Sequence, residues 1–336
     1  MAGDVRKIAE WQGGDVVEAV LESEAGVRLN VMNYGGVIRD WQVPVGGQMR
    51  SVVLGFDRFE DYPAHSPYFG ALAGRVANRV GGSRFTLDCQ EYELTPNEGP
   101  NHLHGGPGGI SHRLWKLEPL VANALRLTLS SPDGDMGYPG SLDMEVIYRL
   151  DGYRLHIDFA AVASAPTPVN LVQHNYFNLM GGGEVFDHRL EVAASAYTVT
   201  DDALIPTGEI KPVAGTGFDF RHGHPMRDES GAPVILDQNL VLDTRRDPAD
   251  PVACLVAPDG SLRLELFTDQ PGLQVYNGGQ MDIRVEGLGG RRYPRFGGMC
   301  LEDQHFPDAV NNPHFPDTIV TPEAPYRHRC AIEIRP

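Results

Sequence analysis

The chain has 336 residues, 41% of them hydrophobic, and a net charge of −17. The acidic balance is spread without long blocks of one sign, which disfavours nucleic acid, an anionic membrane or a heavily phosphorylated ligand as partner. No apolar run approaches the roughly 18 residues of a membrane helix, and Met1-Ala2-Gly3-Asp4-Val5-Arg6-Lys7-Ile8 lacks a signal peptide's apolar core, so a cytoplasmic protein is expected.

The predicted elements, in chain order, are strands. Leu125-Arg126-Leu127-Thr128-Leu129-Ser130 alternates apolar and polar residues, the period of a half-buried strand, and Ser131-Pro132-Asp133-Gly134 follows as a turn. Asp151-Gly152 predicts a hairpin turn opening the strictly alternating strand 153–159. Leu190-Glu191-Val192 repeats the pattern, and Pro258-Asp259-Gly260 turns into a strand at 262–266. Near the C-terminus Met299-Cys300-Leu301 runs into Glu302-Asp303-Gln304-His305 and stops at Phe306-Pro307, which cannot extend a ladder. Helical periodicity is nearly absent, and 39 glycines with 26 prolines suit many turns. No repeat, low-complexity tract or composition shift divides the chain. The expectation is an all-β protein, one large antiparallel β-sandwich forming a single domain over residues 1–336. The longest irregular stretches, 61–68, 95–113, 200–233, 243–251 and 282–296, are expected to carry function or to be mobile.

Glu302 places a carboxylate where a strand gives way to a loop, and Val172-Gln173-His174-Asn175-Tyr176-Phe177-Asn178-Leu179 places a histidine in a similar setting. One carboxylate and one imidazole suffice for proton transfer on a neutral substrate. Asp303 points to the opposite face of the strand from Glu302, which argues against the paired carboxylates of a glycosidase. Cys89, Cys254, Cys300 and Cys330 form no CxxC pair and are expected to be isolated buried thiols. His222-Gly223-His224 and His102-Leu103-His104 have ligand-like spacing but no nearby carboxylate or thiol cluster, so no metal is expected. The glycine-rich run 105–109 lacks the helix or lysine of a phosphate loop, and no nucleophile elbow is present.

Six segments in order resemble the signatures of the aldose 1-epimerases, or galactose mutarotases. They are Gly74-Arg75-Val76-Ala77-Asn78-Arg79, Asn101-His102-Leu103-His104-Gly105-Gly106, the His174 segment, Leu204-Ile205-Pro206-Thr207-Gly208-Glu209, Pro271-Gly272-Leu273-Gln274-Val275-Tyr276 and the Glu302 segment. The resemblance runs from about Gly35 to the C-terminus. It implies a many-stranded twisted sandwich with a sugar site in an open cleft on one sheet. It also implies interconversion of the anomers of free aldoses such as galactose or glucose, by ring opening and reclosure without a cofactor.

On this resemblance Glu302 is the base and His174 the acid, while Asn78, Arg79, His104, Tyr176, Asp237 and Gln274 hold the sugar. Arg79 offers a rigid fork of donors, Asp237 accepts from neighbouring hydroxyls, and Gly105-Gly106 would let backbone approach the ligand. Gln173 and Leu236-Asp237-Gln238-Asn239 depart from the family's more usual residues. Arg75 either belongs to the site or pairs with a carboxylate beneath it. Tyr68 and Phe306 are candidates for ring-stacking or cleft-wall residues, with plain packing the favoured reading. The expected partner is a small sugar, and the expected state a monomer or weak homodimer. Two alternatives stand beside this: a hexose 6-phosphate epimerase, for which Arg291, Arg292 and Arg295 form the only dense basic group, and a non-catalytic sugar-binding protein.

Overall fold

The computed structural model describes residues 5–336, and nearly all its regular structure is strand. Period-two alternation explains why. In the strand Leu142–Asp151, Leu142, Met144, Val146, Tyr148 and Leu150 are buried while the residues between them face outward. Its partner Arg154–Ala163 follows a two-residue turn in which Gly152 has a φ of 57°, the left-handed conformation that hairpin turns require.

A nine-stranded antiparallel sheet forms one layer, with Lys116–Val121 at one edge and His224–Pro225 at the other. Its centre joins Arg154–Ala163 to the C-terminal strand Tyr326–Arg335. Facing it is a five-stranded sheet in the order Pro206–Pro212, Ala194–Thr200, Asp237–Leu242, Gly272–Tyr276, Cys300–Gln304. A second five-stranded sheet, Val5–Trp11 to Gln48–Ser51, is a simple meander. One apolar cluster links all three, running from Leu29 and Trp41 through Val146 and Ile157 to Leu240, Leu273, Val275 and Leu301. Truncating one such residue, as in Leu273→Ala, costs about 2–5 kcal/mol through lost burial and the cavity left behind.

The same alternation aims the polar residues. Leu273 and Val275 face the core, so Gln274 and Tyr276 face the other way; Leu301 and Asp303 likewise alternate with Cys300, Glu302 and Gln304. Gln274 lies directly opposite Glu302 in this ladder.

Several expectations need correction. The stretch 61–68 contains the α-helix Asp61–His65, and 200–233 contains the strands Pro206–Pro212 and His224–Pro225. Strand Pro206–Pro212 sits at a sheet edge with mostly exposed residues, so no apolar alternation announces it. The stretches 95–113 and 282–296 hold only a two-residue strand and 3₁₀ turns, and 243–251 has no regular element. Cys254, Cys300 and Cys330 are buried free thiols, whereas Cys89 is exposed in a hairpin turn at φ 64°. No helix among the described residues is long and apolar enough to cross a membrane.

Candidate active site

The segment holding His174 reaches Glu302 through backbone pairing. The strand Val172–His174 pairs with Ala71–Ala73 and then leads to Phe177, which exchanges both backbone hydrogen bonds with Met299 at 2.7 and 2.8 Å. That bridge is antiparallel, with His174 three residues before Phe177 and Glu302 three residues after Met299, so the register brings the two side chains together. His174 Nε2 lies 3.6 Å from Glu302 Oε1, and both side chains are buried. The other ring nitrogen, Nδ1, lies 3.6 Å from the thiol of Cys300, which projects from the same strand face as Glu302.

Three further wall residues come from loops in left-handed backbone: Tyr68 at φ 69°, Asn78 at 59° and His104 at 49°. Such non-glycine conformations are held by surrounding structure, and here the bracing is visible. The Asn78 amide donates to His104 Nδ1 at 3.1 Å, His104 N donates to the Asn78 carbonyl at 2.9 Å, and Asn78 Oδ1 accepts from Arg79 N. The Tyr68 ring packs 4.6 Å from His104 and 5.8 Å from His174, and Tyr176 stacks on His174 at 5.1 Å.

Together these residues enclose a polar cavity of about 170 Å³ lined by Tyr68, Asn78, Arg79, Glu98, Leu103, His104, His174, Tyr176, Asp237, Tyr276, Gln280 and Glu302, with Pro67 at the edge. Larger hollows of about 720 and 650 Å³ open on the nine-stranded sheet, but His174 and Glu302 lie in the smaller one. Its size is below that of drug-sized pockets and suits a small polar ligand.

Burial dominates the electrostatics. It pushes the Glu302 carboxyl up to about 8, with Asp237 and Asp303 adding to the push and Arg79 opposing it. It lowers the His174 imidazole to about 4. In the empty cavity at neutral pH the pair therefore keeps its proton on the carboxyl. Burial also raises Asp237, against the pull of Arg79 and of Gln274, whose Nε2 donates to Asp237 Oδ1 at 2.7 Å. Glu302 Oε2 and Gln274 Oε1 are buried without a hydrogen-bond partner, and such atoms are costly unless a ligand or water satisfies them.

Of the eight residues singled out in the sequence, Gln274 alone does not line the cavity; it sits behind Asp237 and holds its carboxylate. The Tyr176 hydroxyl donates to the Pro67 carbonyl at 2.9 Å, so that proton is already engaged. Arg79 is turned onto Glu98, with Nε and Nη2 at 2.6 and 2.7 Å from its carboxylate. Tyr68 is a wall residue as well as a packing aromatic, while Phe306 packs on Phe315 away from the cavity.

Arg75 is buried, and its guanidinium serves backbone carbonyls of Ser131, Pro132, Pro139 and Gly140 together with Ser131 Oγ. It is a structural clamp for that loop, bound to carbonyls and a hydroxyl, outside the cavity lining and with no carboxylate among its hydrogen-bond partners. The glycines after His104 also have another reason: a Cβ on Gly105 would lie 1.8 Å from the Gly74 carbonyl oxygen, and one on Gly106 would meet the His102 ring. They serve chain packing, not approach to a ligand.

Glu98, Tyr276 and Gln280 escaped the sequence reading. Tyr276 had a signal, since it lies two residues beyond Gln274 on the same strand face. Glu98 and Gln280 sit in irregular segments with no periodicity to place them.

His104, His174 and Glu302 offer one ligand atom each within 4.8 Å of one another, a spacing to be weighed as a metal centre. The chemistry of His104 argues against it. Burial keeps this ring neutral well below its usual range, and Nδ1 already accepts the Asn78 amide proton, so Nε2 carries the ring hydrogen. That nitrogen is a hydrogen-bond donor with no lone pair to offer. The rings of His224 face their own loop's carbonyls at Asp219 and Pro225.

Comparison with known proteins gives the family of the chain. The family model described as aldose 1-epimerase matches residues 18–333. A galactose mutarotase from Rattus norvegicus is 41% identical over 321 residues, covering 94% of this chain and 93% of its own. An aldose 1-epimerase from Escherichia coli is 34% identical over 302 residues, covering 87% of each chain. The crystal structure of an aldose epimerase homologue from C. elegans superposes with a TM-score of 0.90 at 27% identity, covering 95% of this chain and 98% of that one. A β-sandwich whose cleft sheet ends in a buried carboxylate facing an imidazole thus coincides with extended sequence similarity, and the chain belongs to the aldose 1-epimerase family.

Proposed function

We propose that this enzyme interconverts the α and β anomers of free aldoses such as galactose or glucose, with Glu302 and His174 moving the protons. The observation that carries the proposal is the approach of His174 Nε2 to within 3.6 Å of Glu302 Oε1 in a polar cavity. That gap is too long for a good hydrogen bond, so reacting oxygens can engage both groups.

Ring opening needs a proton taken from the C1 hydroxyl and one given to the ring oxygen; reclosure reverses both transfers after rotation about C1–C2. As a carboxylate, Glu302 is a strong base because its conjugate acid holds a proton up to about 8. As an imidazolium, His174 is a strong acid because burial lowers it to about 4. The ionic form is the minority arrangement of the single shared proton, and sugar hydroxyls raise its share by solvating both charges. His104 Nε2 donates to a sugar hydroxyl, Asp237 accepts from one, and Tyr68 and Tyr176 hold the imidazole plane.

The 6-phosphate alternative finds little support. Arg291, Arg292 and Arg295 do not line the cavity; Arg295 donates to the Gly279 carbonyl and covers Phe296. We propose further that the chain works as one domain in the cytoplasm, as a monomer or weak homodimer.

Polarimetry on freshly dissolved α-anomers of galactose, glucose and xylose tests the reading. Wild type should accelerate the optical decay, Glu302→Gln should not, and His174→Asn should lose about 10²- to 10⁴-fold while still binding sugar. Undiminished turnover in either variant would remove that residue from the mechanism.

A further inference from the structure

Glu98 has no place in the mechanism above, yet it lines the cavity and holds its only lysine or arginine. Both Nε and Nη2 of Arg79 are bound to the Glu98 carboxylate in a bidentate fork at 2.6 and 2.7 Å. Arg79 is almost fully enclosed, while Glu98 remains one-third exposed at the cavity mouth. Burial works against the guanidinium charge, but the Glu98 hydrogen bonds and the neighbouring carboxyl groups of Asp237, Glu98 and Glu302 together outweigh it.

Glu98 is itself firmly placed. It closes a tight turn with Asn101 through paired backbone bonds of 3.1 and 2.9 Å, and the neighbouring Asn97 side chain braces Leu103 at both N and O. Leu103 is in turn the strand partner of Arg79. The loop thus positions the carboxylate against the guanidinium independently of any ligand.

We propose that Glu98 is a specificity-determining residue that makes the site select neutral aldoses over anionic ones, an inference that rests on the proposed mutarotase reading. The argument has two parts. A guanidinium recognises a carboxylate or phosphate through a bidentate face, and Glu98 already occupies the side-on face formed by Nε and Nη2 while cancelling the charge that would draw an anion to the remaining N–H groups. Glu98 also offsets the one fixed positive charge of the wall, so with Asp237 beside them the cavity has no net attraction for an anion. An aldose carrying a carboxylate or phosphate meets repulsion and finds the side-on fork of Arg79 taken.

The test compares wild type with Glu98→Gln on D-galactose and D-galacturonate, which differ by a carboxylate at C6, at low and high salt. The isosteric amide keeps one hydrogen bond to Arg79 but removes the charge. The ratio of kcat/KM for galacturonate over galactose should rise by about tenfold in the variant, mainly through KM. In wild type, kcat/KM for galacturonate should climb with salt as repulsion is screened, and this climb should flatten in the variant. The overall charge of −17 acts on both proteins alike, so the difference between them is the readout. An unchanged ratio and salt response, with galactose turnover intact, would overturn the proposal and leave Glu98 a structural partner of Arg79. If Glu98→Gln does not fold, Glu98→Ala takes its place with the same two readouts and the same overturning result. If wild type does not accelerate galactose at all, the mutarotase reading itself fails, a result distinct from either of these.

Discussion

His328 reaches across the sandwich from the nine-stranded sheet to Asp303 on the cleft sheet, with Nε2 2.6 Å from Oδ2. The Thr268 hydroxyl donates to the same oxygen at 2.5 Å, and His328 Nδ1 faces the Leu171 carbonyl at 3.2 Å. Asp303 therefore anchors from behind the strand that presents Glu302 in front. Burial works against its charge, but the imidazole and hydroxyl outweigh that and hold the carboxyl below its ordinary range.

Removing this anchor leaves His328 facing an amide in a dry core. Asp303→Asn should destabilise the protein by about 3–5 kcal/mol at pH 7 in urea unfolding. Because the folded-state value is depressed, the contribution is fully present above the unfolded carboxylate range and is lost as pH falls from there through the lower folded-state value. The gap between variant and wild type should therefore narrow in acid; a constant gap would mean that packing, not charge, sets the cost.

Glu302 has the opposite sign. Its folded value of about 8 lies above the ordinary 4.5, so its full contribution to stability exists below that ordinary value and is lost as pH rises to about 8. Glu302→Gln should be inactive yet melt several degrees above wild type at pH 9, with the advantage shrinking toward pH 5. Equal melting temperatures at both pH values would contradict a strained buried carboxylate.

The pair also shapes the pH–rate profile. With one proton shared between groups near 4 and 8, kcat/KM for galactose should be level between those values and fall on the alkaline side as the last proton leaves. Polarimetry at constant ionic strength, corrected for spontaneous mutarotation, measures this. A profile still rising past pH 9 would exclude the shared proton.

Arg75→Lys tests the assignment of that arginine to structure. An ammonium cannot reproduce a fork bonded to four carbonyls and a hydroxyl, so stability should drop by about 2–4 kcal/mol. The folded fraction should keep its kcat on galactose, and a selective loss of kcat would instead return Arg75 to the site.

Gln274→Leu removes the donor that holds Asp237 without touching the cavity wall. Its expected effect is a rise in KM for galactose with a smaller change in kcat, read from initial rates across sugar concentration. Unaltered KM would mean that Asp237 is held sufficiently by Arg79.

Much of this was legible residue by residue. The alternation in 125–130 and 153–159 marks real strands because side chains of a strand half-buried against a core must alternate. The edge strand Pro206–Pro212 escaped because both its faces are largely exposed and nothing forces an apolar pattern. Glu98 escaped for a different reason. It stands on a loop, and its neighbours across the cavity come from distant parts of the chain. Gln274 shows the converse: a motif placed it near the site, but only cross-strand packing put it behind Asp237.

By itself the sequence determined the all-β class, the opposite facing of Glu302 and Asp303, and which residues resemble those of a sugar epimerase, since these depend on local period and residue type. Tertiary structure decided the 3.6 Å approach of His174 to Glu302, the capture of Arg79 by Glu98 and the displaced protonation of the pair. Long-range strand register sets the distances, and desolvation sets the proton affinities. Both are properties of what surrounds a residue, which no stretch of chain contains.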